Sequence, residues 1–158
     1  MNKHKAWLVI PGILVVVIFY FFYRMDRNDA KALADFPVAY QKYDAAIFDF
    51  SKLIFASNLE SASVTNDLER KADEALVELK TKASARISSL TKHDGELMSI
   101  THEIAAISGK ELDILEAYKK AVVDKNADLD QLAKELADLT NKRQTDYARF
   151  RELAGLKD

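Results

Sequence analysis

Three histidines, His4, His93 and His102, are the side chains best suited to move protons near neutral pH or to ligate a transition metal. His4 lies between Lys3 and Lys5 in a short basic tail, and Asp94-Gly95, a helix-interrupting pair, separates His93 from His102. His102-Glu103 is not followed by the second histidine of a zinc-protease helix, and no Glu-x-x-His pair of the di-iron bundle type occurs. The spacing therefore predicts cap or surface roles for these imidazoles, and neither a metal nor a cofactor.

Hydroxyl and carboxylate groups lead to the same expectation. The serines and threonines at 61–65 and 84–91 lie in no nucleophile elbow and beside no His with an orienting acid. Glu74 with Glu78, and Asp124 with Asp128, are carboxylates one helical turn apart, a spacing that any solvated helix face produces. Four dispersed glycines cannot form a phosphate-cradling loop, and the absence of cysteine removes thiol nucleophiles, disulfides and thiolate metal sites. The sequence is expected not to be an enzyme.

Two constellations remain. Arg143 and Asp146 interrupt an otherwise apolar heptad seam of Leu129, Leu132, Leu136, Leu139, Phe150 and Leu153. Three residues apart, they can pair with each other or with a partner helix and fix the register of the seam. The competing arrangement puts both at a solvated edge while Tyr147 takes the inner place, and the readiness of long charged side chains to snorkel favours it. The second constellation is aromatic: Phe36, Tyr40, Tyr43, Phe48, Phe50 and Phe55 fall within twenty residues. A bundle of this size needs aromatic volume, so core packing is the expected role. If one line of this helix stays uncovered, Phe48 and Phe55 become partner-facing residues.

The elements that must position these groups begin with residues 6–23, AWLVIPGILVVVIFYFFY, a run without charge. As a helix it covers roughly 27 Å, close to a hydrocarbon core. Trp7 at one end, and Tyr20 and Tyr23 with Arg24 at the other, make the aromatic and basic flanks of a segment settled between two membrane interfaces. The core is longer than that of a signal peptide, and charged residues from Arg24 to Lys31 precede the small-residue site at 32–34, so the anchor is expected to be retained. Basic residues on the two sides nearly balance. A short basic tail, 1–5, kept in the cytoplasm gives N-in, C-out, which in a bacterium places the following domain in the periplasm.

Residues 24–36 read as a juxtamembrane linker or helix extension, and 37–158 as one helical domain. Asp35-Phe36-Pro37 predicts a helix start, with Asp35 as cap and Pro37 in the first turn. Tyr40, Tyr43, Ile47, Phe50 and Ile54 make one apolar line; Phe48, Phe55 and Leu59 make another. After a turn at 57–66, Asn66 with Glu69 predicts a capped second helix carrying Leu68, Ala72, Leu76, Leu79, Ala83, Ile87 and Leu90. A third carries Leu97, Ile100, Ile104, Ile107, Ile114, Leu115, Tyr118 and Val122. Ser108-x-x-Glu111 is also a capping-box pattern, but the stripe stays in phase across Gly109, and a continuous helix is expected. Asp128 with Gln131 opens a fourth, coiled-coil-like helix. The fold class expected is all-α: one N-terminal transmembrane helix followed by an up-and-down antiparallel bundle of three or four helices. In the three-helix variant the segment before residue 57 is a separate stalk.

Of 23 basic residues only Lys3 and Lys5 precede the apolar run, so the domain, with 25 Asp and Glu, is near neutral with alternating signs. No basic face for nucleic acid appears. The expected function is a non-catalytic, membrane-anchored bundle acting as an accessory, assembly or scaffold subunit. Its expected partners are lipid through residues 6–23 and other membrane or envelope proteins, or itself. The alternatives are an extracytoplasmic ligand sensor signalling through a partner, and a spanin-like envelope protein.

Overall fold

The computed structural model describes residues 3–56, 62–87, 95–124 and 128–156, and the side chains of these except 3–17, 22, 25–30, 32, 62–63, 84–87 and 124. The chain is all-α. Among the described residues it forms four helices: α1 (Lys3–Phe55), α2 (Ala62–Ile87), α3 (Gly95–Asp124) and α4 (Leu129–Leu153).

Cross-helix ion pairs fix the directions. Asp35 pairs with Lys82 and Lys42 with Glu78, so α1 and α2 run antiparallel. Glu103 pairs with Lys142 and Glu96 with Arg149, which sets α3 against α4 in the same way. Tyr43 of α1 reaches Ser108 of α3 across the centre. The result is an up-and-down four-helix bundle, and its apolar interior is what holds it. Phe36, Tyr43, Phe50, Leu79, Ile104, Leu115 and Phe150 are each buried to 2% exposure or less. Each large apolar side chain so buried contributes about 1.5–3 kcal/mol. The alternation of these residues with charge at three- and four-residue spacing is why the helices form and why each presents one face inward.

The second and third stripes pack largely as the periodicity predicts, while of the fourth only Leu136, Arg143 and Phe150 are buried and Leu153 is exposed. Ala72, Leu76, Leu79 and Ala83 are buried on α2, and Leu97, Ile100, Ile104, Ile107 and Leu115 on α3. Asp128 caps α4, its Oδ1 accepting from the Gln131 amide at 3.1 Å. α3 passes through Gly109 unbroken: Ser108 donates its hydroxyl to the Ile104 carbonyl at 2.8 Å instead of capping a new helix. Ile87 has its side chain, and Leu90, His93 and Asp94 lie entirely, outside the described residues.

Two expected helix starts are corrected. α1 runs straight through Pro37, although the ring removes one hydrogen bond from the ladder. Leu33 already packs on the core one turn earlier and Phe36, Ala39 and Tyr40 continue the buried line, so burial favours continuing the helix. Asp35, the expected cap, pairs with Lys82 instead, at 3.2 Å. The segment before residue 57 is therefore a full member of the bundle, and the separate-stalk variant is set aside. α2 begins at Ala62, a turn before Asn66. Thr65 in that turn is buried, and Glu69 reaches Lys119 of α3 at 2.5 Å instead of returning to Asn66.

No helix among the described residues is long and apolar enough to cross a membrane. The apolar run 6–23 falls, apart from 18–21 and 23, where side chains lie outside the description. Where described, Tyr20, Tyr23 and Arg24 are exposed, and Trp7 is among the side chains not described.

Candidate functional site

Arg143 is the largest fully buried side chain in the domain, with 1% exposure, and this overturns the expected solvated-edge position. Its partner is not Asp146, which pairs with Lys142 at 3.0 Å. Arg143 Nη2 donates to Asp44 Oδ1 of α1 at 2.7 Å, and Nε lies 2.7 Å from Glu111 Oε2 of α3, an ion contact in which the N–H is not directed at the oxygen. The guanidinium also stands over the rings of Tyr40 and Tyr43, at 5.2 and 5.4 Å. Snorkelling fails because the α4 seam at this level faces Tyr40, Tyr43 and Asp44 of α1 and Glu111 of α3, which enclose the guanidinium.

The network continues inward. The Tyr43 hydroxyl donates to the Ser108 carbonyl at 2.6 Å and lies 3.3 Å from Glu111 Oε2. Burial pushes the Tyr43 phenol well above its ordinary value, and the nearby Glu111 charge adds to this against Arg143. Burial works against charge on Arg143 as well, but Glu111 and its other neighbours more than offset it, so the guanidinium stays protonated. Glu111 Oε1 and Arg143 Nη1 are buried without a hydrogen-bond partner. This cluster links α1, α3 and α4 at one level; Asp44 is its one carboxylate open to the groove, 46% exposed, and Arg143 holds it. No group of three or more His, Cys, Asp or Glu side chains fit for a metal occurs among the described residues, and His102 is exposed.

Above the cluster, large rings close the gap between α1 and α4. Phe36 meets Phe150 with centroids 4.8 Å apart, and Tyr40 stacks on Tyr147 at 3.6 Å. Below it the walls change to smaller side chains, Ala45 on α1 and Ala133 and Ala137 on α4. The helices do not close over this gap: no Cα of α1 lies within 8 Å of a Cα of α4 among the described residues. What results is a groove of about 640 Å³ floored by Ile47, Leu115 and Leu136. Phe48 and Phe55 stand on its α1 rim, 63% and 44% exposed, so neither takes the core role expected of it. Phe55 rests edge-on against Tyr118.

The groove walls carry little charge. Asp44 and Arg143 are their two charged residues, and these pair with each other; the α4 wall otherwise shows Ala133, Ala137, Thr140, Asn141 and Gln144. Depletion of charge beside exposed aromatics, here Phe48 and Phe55, is the composition of a protein-binding patch. A space of this size is also within the range of small-molecule pockets.

Glu111 and Asp44 are the site residues that sequence reasoning missed. Ile104, Ile107, Glu111 and Leu115 share one helical face, which places a carboxylate inside the stripe and requires a buried cation opposite it. Arg143, in a heptad core position, is that cation. Comparison of the chain with protein-family models, with curated proteins and with solved structures finds no match in any of the three.

Proposed function

We propose that the protein is a non-catalytic, membrane-anchored helical bundle that serves as an accessory, assembly or scaffold subunit through protein–protein contacts at the α1/α4 groove. The observation that carries this reading is the groove whose only charged lining residues pair with each other and on whose rim Phe48 is exposed, since exposed aromatic side chains beside an open apolar cleft are the usual anchors of an interface. The polar cluster at its end is engaged within the fold: Glu111 is fully buried and the exposed Asp44 carboxylate is paired with Arg143.

The anchor is read from the sequence alone. Residues 6–23 carry no charge and end in Tyr20, Tyr23 and Arg24. In this reading the tail lies in the cytoplasm and the bundle outside a bacterial inner membrane. The tests are carbonate washing of membranes, then capture of the tagged full chain in mild detergent and native mass spectrometry. An assembly of fixed stoichiometry from washed membranes, lost in Phe48→Glu, is the expected result. A soluble chain removes the anchor, and a monomer retaining a small molecule overturns the subunit reading in favour of a ligand sensor, which the groove volume would accommodate.

A further inference from the structure

We infer that the occupant of the α1/α4 groove is the same groove of a second copy of this chain, in a parallel dimer whose two-fold axis runs along the membrane normal. The inference rests on the proposed anchor and on the reading of the groove as a protein interface.

The first argument is electrostatic. A surface that meets its own image brings each charge towards an identical one, so it must be uncharged or internally paired. This groove meets the second condition: its two charged lining residues pair at 2.7 Å, and the rest are apolar, amide or hydroxyl. Amides such as Gln41, Asn141 and Gln144 carry donor and acceptor on one group and can satisfy each other across a two-fold axis.

The second argument is register. α1 and α4 run antiparallel, Tyr40 standing level with Tyr147 and Asp44 with Arg143. One turn further, Phe48 stands level with 136–140 of α4, where the small side chain of Ala137 lines the wall above the floor residue Leu136. Two copies held in one bilayer by the same segment share height and direction. A two-fold along the normal then brings each Phe48 opposite the other copy's hole at the same level, so knob and hole are both supplied by one sequence.

Other covers fit less well. Gln41, where the groove begins, is eighteen residues past Tyr23 on the same continuous helix, which places it about 27 Å beyond the apolar run and out of reach of the lipid surface. The exposed carboxylate of Asp44 already lies beside Arg143, so a fatty-acid headgroup would have to displace it.

The test uses the full chain in its native membranes, with a photoreactive phenylalanine analogue at position 48. A cross-linked product of twice the chain mass, mapped to α4 residues 133–144, is expected. Register is then checked with two differently tagged copies, one Phe48→Cys and one Ala137→Cys, in a chain that has no cysteine of its own. Their mixed disulfide should exceed, several-fold, that of copies carrying Val77→Cys on the exposed side of α2. A product linked to a different protein overturns the dimer and leaves the subunit reading standing. No product at position 48 overturns both, and a twofold product with no disulfide preference overturns this register.

Discussion

Replacing Arg143 with methionine keeps much of the side-chain volume and removes the charge, leaving Glu111 with no exposure and no cation. A buried ion stripped of its partner costs about 3–5 kcal/mol. Glu111→Gln is milder, at about 1–3 kcal/mol, because Arg143 retains Asp44 and the Tyr43 hydroxyl retains the Ser108 carbonyl at 2.6 Å. The double replacement Arg143→Met with Glu111→Leu removes both ions and all three buried atoms without a hydrogen-bond partner, Glu111 Oε1, Arg143 Nε and Arg143 Nη1. Buried pairs exchanged for apolar residues of similar size are often neutral or more stable, so the double variant should recover most of the loss. The assay is urea unfolding of the full chain in mild detergent, followed by far-ultraviolet circular dichroism, for the wild type, both singles and the double. A loss below about 1 kcal/mol in Arg143→Met, the value of an exposed pair, would refute the buried position. Additive losses in the double variant would refute the direct coupling of Arg143 to Glu111.

Alkaline pH should unfold the bundle through its buried phenols. Burial raises Tyr40 and Tyr43 far above the unfolded value. The unfolded chain then releases protons that the folded chain holds, so the contribution of these tyrosines is constant below about pH 10 and falls above it by about 1.4 kcal/mol per pH unit for each. Ultraviolet tyrosinate absorbance should show these two titrating together with unfolding; titration in the folded state would contradict their burial. Gly109→Ala should raise stability by up to about 1 kcal/mol, because the added methyl meets only the mobile end of Lys80, with Nζ at 3.3 Å; a loss in the same urea assay would mean that the helices approach more closely there. Asp128→Ala should lose about 1 kcal/mol, the ordinary value of an N-cap, and an unchanged midpoint would show that α4 starts without it.

Periodicity made the bundle legible because apolar residues at three- and four-residue spacing can be buried in only one way, and the stripes of α2 and α3 are largely those of the interior. Local signals misled where tertiary contacts competed with them. Asp35-Phe36-Pro37 carries every mark of a helix start, yet Leu33 and Phe36 lie on one buried line and the Lys82 ammonium draws Asp35 away from capping. Asn66 and Glu69 form a capping pattern that loses Glu69 to Lys119. The end of α4 is a feature the sequence reading did not take up: Gly155, at φ 66°, allows the Leu156 amide to reach the Arg151 carbonyl at 2.9 Å and close the helix.

The site was half legible. Phe48 and Phe55 were recognisable as a second apolar line, but whether another helix covers that line depends on the spacing of α1 and α4. That spacing is set by the aromatic layer of Phe36, Tyr40, Tyr147 and Phe150 above the groove. Arg143 was visible as an interruption of the seam, and the seam itself concealed its partner: Glu111 is thirty-two residues away in sequence, on a different helix, and was read as half of a local capping pattern.

The account depends most on the groove being covered by protein when the chain is in its membrane, and hydroxyl-radical footprinting reads this directly. Oxidation rates at Phe48 and Phe55 are compared between native membranes and the dissociated chain, with exposed Val77 of α2 as the internal reference. Protection of both phenylalanines by several-fold in membranes, with Val77 unchanged, is the predicted result. Equal rates in the two states would show an open groove and contradict the proposal that the protein works through contacts made there.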